Sequence, residues 1–224
     1  MSYIRSLPPA ASIAHLYTVR QALRLFDRFG CQRILDVGCG DAYFEESFPE
    51  RFMGLDIEPQ RLVQAARRGV RRLVVASGEH LPCADGQFDG LLAKDVLEHL
   101  YLEQAFRFLY EARRVLRPGG IFIAITSKNV QSFWDKPDHV RPYSNKWVRR
   151  VMTREMLKAP APNGGGLAEG PPVPRASWEV VLARELSAGI PGFGRLGLEE
   201  LAHALAQHLG IRNDHGIIAL RKTP

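Results

Sequence analysis

The chain has 224 residues, which is long enough for one well-filled α/β domain and short for two. Of these residues 46% are hydrophobic and 24% are charged, as in an ordinary globular protein. Its three cysteines, Cys31, Cys39 and Cys83, have no CxxC spacing, which argues against a disulfide framework and a cysteine zinc site. The net charge of +6 is spread over short arginine pairs rather than a basic tail, so we expect no nucleic-acid partner.

Helical and strand patterns alternate along the first 130 residues. Residues 12–30 have apolar positions at helical spacing, and Gly30 suits the end of that helix. Strands are predicted at 33–38, 51–57, 71–77, 88–94 and 121–126, with helices through Phe44 and Phe48, over 59–69 and over 102–116, the last closed by Pro118-Gly119-Gly120. This alternation predicts a parallel, doubly wound sheet with right-handed crossovers.

The pattern changes after residue 126. A polar and aromatic loop leads to a predicted helix at 145–157, and the segment 158–177 is rich in Pro and Gly, which favours a linker over a lid. Two closing strands are predicted at 178–185 and 215–222, with a helix at 198–209 between them. We expect a single domain over 1–224, with a helical cap at 1–30 and a loop, helix and flexible segment at 127–177.

The hydropathy pattern bears on the cellular compartment. No apolar run approaches the ~20 residues needed to span a bilayer. The first residues, MSYIRSLPPAASIAHLY, lack the apolar core of a signal peptide. The sequence therefore predicts a cytoplasmic protein without a membrane segment.

A glycine turn, Gly38-Cys39-Gly40, follows the first predicted strand. Ligands of open α/β sheets bind beyond the carboxyl ends of the strands, and glycines there let a ligand touch the main chain. A dinucleotide fingerprint would have a third glycine where this chain has Tyr43. Asp36 and Asp41 flank the turn; carboxylates are poor neighbours for a phosphate and good ones for a cation. An NAD site is therefore disfavoured.

Asp56 ends the second predicted strand, eighteen residues beyond Gly38. A carboxylate at that place can hold both hydroxyls of a ribose. The predicted site thus suits a ribose, an adenine-sized group and a positive charge, without phosphates. S-adenosylmethionine has these features.

Four segments carry a resemblance to a known family: ILDVGCGDAYF, GLDIEP, GEHLPCADGQFDGLLAKDVLEHL and ARRVLRPGGIFIAIT. In order and spacing they resemble the motifs of class I S-adenosylmethionine-dependent methyltransferases, closest to the type 11 small-molecule group, over about residues 30 to 130. The resemblance implies a Rossmann-like sheet of seven strands with the last one antiparallel. It also implies methyl transfer to a small-molecule acceptor, such as a hydroxyl of a sugar, quinone or natural-product intermediate.

Residue roles follow from the resemblance by position. It implies that Asp36, Gly38, Cys39 and Gly40 surround the methionine part of the cofactor. Asp56 would bind the ribose and Ile57 would lie against the adenine. The segment Ser77, Gly78 and Glu79 would line the adenine edge, although the family often has Asp where this chain has Ser77. Lys94 would lie near the methyl-transfer region.

His99 is a candidate catalytic residue just past the fourth predicted strand. If this segment is helical, Asp95, Glu98 and His99 share a face at the cleft. The same set resembles that of metal-assisted O-methyltransferases of ubiquinone biosynthesis. We favour a structural role for this set and expect no metal.

A second candidate group lies in the loop after the fifth predicted strand. His139, Arg141 and Tyr143 stand at alternating positions, so in an extended segment their side chains would point the same way. His139 would then act as a base, Arg141 and Tyr143 would bind a polar or anionic acceptor, and Trp134 would supply an apolar floor. The alternative, which the spacing supports equally, is an Arg141 paired with a helix end and a Tyr143 packed in the core.

Two alternatives remain open. A nucleobase or RNA methyltransferase typically has an N-P-P-Y-like tetrad after the fourth strand, where this chain has AKDV. A non-catalytic binding module could keep the cofactor fold, although intact Gly38, Gly40 and Asp56 argue against that. Oligomeric state is not predictable from the sequence.

Overall fold

A seven-stranded sheet forms the centre of the molecule. The computed structural model describes residues 13–127, 133–153, 178–186 and 215–223. Its strands are β1 (Ile34–Val37), β2 (Phe52–Asp56), β3 (Leu73–Val75), β4 (Phe88–Lys94), β5 (Leu116–Ser127), β6 (Trp178–Leu186) and β7 (His215–Lys222). Their spatial order is β3-β2-β1-β4-β5-β7-β6, and β7 runs antiparallel to both of its neighbours. The predicted fold, a mostly parallel doubly wound sheet whose last strand is antiparallel, is confirmed.

Five α-helices lie among the described residues, and three of them connect consecutive parallel strands. They are α1 (Ile13–Arg28), α2 (Tyr43–Ser47), α3 (Pro59–Arg67), α4 (Leu102–Val115) and α5 (Asn145–Thr153), with a 3-10 turn at Leu97–His99. No helix among the described residues combines the length and the apolar character that crossing a membrane requires. The predicted helix at 198–209 and the linker at 158–177 lie outside the described residues.

Helices cover both faces of the sheet, which explains why the central strands are continuously apolar. All of β1 is buried, as are the first six residues of β4. Because side chains alternate along a strand, Leu35 packs in one core with Phe108 of α4, and Ile34 packs in the opposite core with Phe26 of α1. The result is a helix–sheet–helix arrangement.

The start of β5 differs from the prediction. We expected a helix to residue 116, a Pro-Gly-Gly break and a strand from 121. Instead α4 ends at Val115 and β5 begins at once, with Leu116 paired to Phe88 and an irregular register before Gly120. Gly119 is left-handed (φ +79°), and a Cβ on Gly120 would lie 2.9 Å from the Arg117 carbonyl oxygen. The glycines thus bend a strand that the sequence pattern had interrupted.

The sheet register brings the predicted site segments to one edge. Val37, the last residue of β1, pairs with Leu55 of β2 on one side and Ala93 of β4 on the other. The residues that follow these three positions therefore leave the sheet side by side. They begin the glycine turn, close β2 at Asp56 and close β4 at Lys94.

Candidate active site

The turn after β1 is built around glycine. Gly38 and Gly40 are both left-handed, with φ of +72° and +55°. The backbone N–H groups of Gly38 and Cys39 donate to the Leu55 carbonyl oxygen at 2.7 and 3.1 Å, which fixes the turn against β2. A Cβ on Gly38 would lie 2.5 Å from Val96 Cγ2. Both the conformation and the close approach of Val96 therefore require glycine at position 38.

Asp56 connects this turn to the end of β2. Its Oδ2 accepts a hydrogen bond from the Gly40 N–H at 2.8 Å, and its Oδ1 accepts one from the Glu58 N–H at 2.9 Å. The side chain is 8% exposed and borders a cavity. A carboxylate oxygen can accept two hydrogen bonds, so each oxygen retains capacity for a ligand hydroxyl.

A cleft lies at this edge of the sheet and has two connected parts. The larger cavity, about 420 Å³, is bordered by Asp56, Ile57 and the segment 77–79. The smaller, about 270 Å³, is bordered by Asp36, the glycine turn and Lys94. Both parts are bordered by Gly38, Arg61, Asp95 and His99, which mark their junction. The structure thus brings all ten predicted cofactor residues to the walls of one cleft.

Buried acids lie behind the smaller cavity. Asp36 is 4% exposed, and burial, together with the nearby Glu45 carboxyl, raises its pKa well above the ordinary range, while Lys94 opposes this shift. Burial also raises the pKa of Glu45 to about 8 and raises that of the Cys39 thiol. An acid at the wall of a cavity, shielded from water, is suited to contact a cationic group. Sequence reasoning missed Glu45, because the spacing of Phe44 and Phe48 does not indicate that the acid between them is buried.

The larger cavity has a hydrogen-bonded wall. The Ser77 hydroxyl accepts from the Glu79 N–H at 3.2 Å, and a Cβ on Gly78 would lie 3.2 Å from Phe108. Gln104 donates from Nε2 to the Glu79 carboxylate at 2.8 Å and accepts the Tyr101 N–H at 2.9 Å. Gln104 was not among the predicted residues. The sequence did offer an indication of Gln104: it is the third residue of the helix that begins at 102, a position from which a glutamine side chain often caps the start of a helix.

Another part of the lining of this cavity is apolar. Ile57 follows Asp56 directly and is 69% exposed, an unusual state for an isoleucine. A flat apolar ring can cover such a side chain, so this wall suits an adenine-sized group.

The segment after β4 turns sharply instead of forming the predicted helix face. Asp95 is left-handed (φ +54°) and ion-paired with Lys94. The 3-10 turn that follows places Asp95 and His99 at the cleft, but it buries Glu98. The three residues therefore do not share one face, because a left-handed residue and a 3-10 turn do not have α-helical spacing.

The structure does not bring the second candidate group, His139, Arg141 and Tyr143, together. His139 is 6% exposed, and its ring lies 4.9 Å from that of His99 and 4.6 Å from that of Phe133. Arg141 is exposed, with its guanidinium 5.8 Å from the Tyr143 ring centre. Tyr143 is buried in the core, and its hydroxyl donates to the Leu100 carbonyl oxygen at 2.9 Å.

None of these three residues borders either part of the described cleft, and neither does Trp134, which is 61% exposed. The predicted common face of His139, Arg141 and Tyr143 does not form, because Tyr143 turns into the core. Burial, followed by the nearby His99 and Lys136, lowers the pKa of His139. His139 therefore presents a neutral ring behind His99.

One cluster at the cleft has the composition of a metal site. Ligand atoms of His99, Asp138 and His139 lie within 4.8 Å of one another. Asp138 borders the larger cavity, and sequence reasoning had not singled it out. Its partner His99 lies 39 residues away along the chain, so only the fold reveals their contact.

Part of the chain is similar in sequence to a known family. Residues 35–124 match the sequence model of a family described as a methyltransferase domain. The chain is similar to a protein of Mycolicibacterium smegmatis named "probable S-adenosylmethionine-dependent methyltransferase", with 29% identity over 140 residues, 60% of this chain and 53% of that protein. The chain spans about half or less of the length of the curated relatives that it matches first.

Two solved structures share the fold. A S-adenosylmethionine-dependent methyltransferase from Archaeoglobus fulgidus superposes with a TM-score of 0.62, at 17% identity, over 93% of this chain and 94% of that one. The N-methyltransferase NodS from Bradyrhizobium japonicum, in complex with S-adenosylhomocysteine, superposes with a TM-score of 0.63, at 16% identity, over 100% and 97% of the two chains. At these identities the likeness shows the fold alone.

Proposed function

We propose that this chain, whose residues 35–124 match a methyltransferase domain, transfers a methyl group from S-adenosylmethionine to a hydroxyl of a small molecule. The observation that carries this proposal is the cleft at the carboxyl ends of β1, β2 and β4. It combines a glycine turn, a carboxylate at the end of β2 and a buried acid, and it includes no phosphate-binding glycine pattern.

In the proposed complex the cofactor extends along both parts of the cleft. The methionine end occupies the smaller cavity, with its backbone along the turn at residues 38–40. Its ammonium group lies near the Asp36 carboxyl group and would favour the ionised form of that acid. The ribose hydroxyls bind the free acceptor positions of Asp56. The adenine lies between Ile57 and the wall at 77–79. Lys94, which borders the smaller cavity and is ion-paired with Asp95 of the junction, would lie near the sulfonium.

The chemistry asks little of the protein, because the sulfonium already activates the methyl carbon. The cleft must align an acceptor behind that carbon and keep water away. A hydroxyl acceptor must also lose its proton as the methyl group arrives, and a neutral imidazole is suited to receive it. His99 borders both parts of the cleft, so we assign this role to His99 and a supporting role to His139.

An amine acceptor is a second candidate. The carboxylate of Asp95 borders the junction of the two cavities, where it could hold an ammonium group. NodS, which shares the fold, is named an N-methyltransferase. A nucleobase acceptor is disfavoured, because the segment after β4 has Lys94, Asp95 and Val96 where base-methylating enzymes carry their tetrad.

A screen of acceptors tests the proposal. The full chain would be incubated with S-adenosylmethionine and with sugars, phenols, quinols, small acids and amines, and S-adenosylhomocysteine would be detected. Asp56→Ala serves as a cofactor-site control. Turnover with hydroxyl acceptors that is lost in the control supports the proposal. Turnover with amines alone supports the second candidate, and tight cofactor binding without any turnover supports a non-catalytic module.

A further inference from the structure

The orientation of the His99 ring is set by Asp138. His99 Nδ1 lies 3.1 Å from the Asp138 carbonyl oxygen and 3.3 Å from its carboxylate Oδ2. Both neighbours are acceptors only, since a carbonyl and an ionised carboxylate have no proton to give. The Nδ1 atom of His99 must therefore carry the proton in this contact.

The other ring nitrogen is left for the cleft. Only one nitrogen of a neutral imidazole is protonated, so in the neutral form of the His99 ring Nε2 holds a lone pair. No hydrogen bond joins Nε2 to another residue in the described part of the chain. His99 borders both cavities, whereas His139 borders neither. The free lone pair is thus available beside the place where the two cavities meet.

Packing keeps the ring in this position. The His139 ring meets the His99 ring edge to face, with an interplanar angle of 83°, and Phe133 packs behind His139. The loop that carries Asp138 is tied to the 3-10 turn that carries His99, because the N–H groups of Val140 and Arg141 both point to the Glu98 carbonyl oxygen at 2.8 and 3.3 Å. Asp138 and His99 are therefore held as one unit.

We propose that Asp138 is a positioning residue that holds His99 as the proton acceptor for methyl transfer, so that the acceptor class is a hydroxyl compound. This inference rests on the proposed function. In the step, the acceptor oxygen forms a bond to the methyl carbon, the carbon–sulfur bond breaks, and its electron pair goes to sulfur. The hydroxyl proton passes to His99 Nε2, and the Asp138 carboxylate stabilises the resulting imidazolium.

A metal bound by the same three residues is the competing interpretation. A histidine that ligates a metal through Nδ1 cannot donate from that atom to a carbonyl oxygen. The contact between His99 Nδ1 and the Asp138 carbonyl oxygen therefore argues against a metal bound through Nδ1, whereas a metal bound through Nε2 would leave that contact intact. The two interpretations predict opposite effects of chelation.

The first test needs no acceptor and is independent of methyl transfer. The full chain, with ¹⁵N-labelled histidine, would be studied by long-range ¹H–¹⁵N NMR at neutral pH, and His99→Gln would assign the His99 signals. We expect Nδ1 protonated and Nε2 unprotonated, with the preference weakened in Asp138→Ala. A His99 ring protonated at Nε2 in the wild-type chain would overturn the proposal, even if the chain is an active methyltransferase.

The second test separates positioning from support of the fold. With catechol as the probe hydroxyl acceptor, Asp138→Asn should lower kcat by about tenfold or more and leave cofactor affinity unchanged. Asp138→Glu should restore part of the loss, and Asp135→Asn, an exposed acid on the same loop, should have wild-type rates. Equal losses of kcat and cofactor affinity in Asp138→Asn would overturn the proposal. So would activity that EDTA removes and zinc restores.

Discussion

Gly40 donates its backbone N–H to Oδ2 of Asp56 at 2.8 Å, so the turn after β1 and the end of β2 are held together by one carboxylate. The same carboxylate borders the larger cavity and accepts the Glu58 N–H at the start of α3. Asp56 therefore has two roles in our account, one in shaping the cleft and one in contacting the ribose.

Replacing Asp56 should separate these roles. Asp56→Ala removes both, and we expect the free energy of cofactor binding to weaken by about 1–3 kcal/mol because charge-assisted hydrogen bonds disappear. Asp56→Asn keeps an acceptor for one N–H group and should lose less. Calorimetry with S-adenosylmethionine measures the affinity, and thermal unfolding checks the fold. Unchanged affinity in Asp56→Ala would remove this residue from the site.

Gly38 can be compared with a glycine of similar backbone conformation. Gly38→Ala and Gly30→Ala both place a side chain at positive φ, which costs about 1–2 kcal/mol of stability. A Cβ at Gly30 has nothing within 4 Å, whereas one at Gly38 would lie 2.5 Å from Val96 and at the cleft. We expect only Gly38→Ala to lose cofactor binding. If both variants bind equally well, the turn does not cradle the cofactor.

Glu45 predicts a dependence of stability on pH. Burial raises its pKa from 4.5 to about 8, so between these values the folded chain keeps a proton that the unfolded chain releases. The free energy of unfolding should therefore fall as the pH rises through this window. The side chain in Glu45→Gln cannot ionise. The free energy of unfolding of this variant should therefore fall less over the same pH range than that of the wild-type chain, by on the order of 1–3 kcal/mol.

Chemical unfolding at about pH 5 and about pH 8 measures this effect. Glu46→Gln is the matched control, because Glu46 is the next residue of α2 and is exposed. Equal pH dependence in the wild-type chain and Glu45→Gln would show that the Glu45 carboxyl is already ionised in the folded state.

Arg141 tests the acceptor side. Its side chain is exposed, lies over the Tyr143 ring and does not border the described cleft. Arg141 would therefore contact only a part of the acceptor that extends out of the cleft. We predict that Arg141→Ala raises the Michaelis constant of an anionic acceptor several-fold and leaves cofactor affinity unchanged. Arg150→Ala, an exposed arginine of α5, is the control. Identical kinetics in the two variants would place the acceptor elsewhere.

The sheet, and the meeting of the predicted cofactor residues at one edge of it, were predictable because they depend on local pattern. The apolar runs of β1 and β4 require burial on both faces, and parallel strands deliver their following residues to one edge. The glycine turn and Asp56 could therefore be assigned from spacing alone.

The acceptor side depends on long-range packing, which spacing does not report. The spacing allowed Tyr143 to face either the cleft or the core, and the structure places it in the core, where its ring centre lies 4.5 Å from that of Trp147. Asp95 takes a left-handed conformation that is rare outside glycine, so a helical face was the wrong expectation. The contact between His99 and Asp138 joins two segments that are 39 residues apart, and the sequence pattern of neither segment indicates it.

The central claim, that this cleft binds S-adenosylmethionine, is tested most directly by calorimetric titration of the wild-type chain with S-adenosylmethionine and S-adenosylhomocysteine. Our account predicts one cofactor molecule per chain, a weaker signal for Asp56→Ala, and no competition by NADH. A folded wild-type chain that binds neither compound, or that binds NADH in their place, would contradict it.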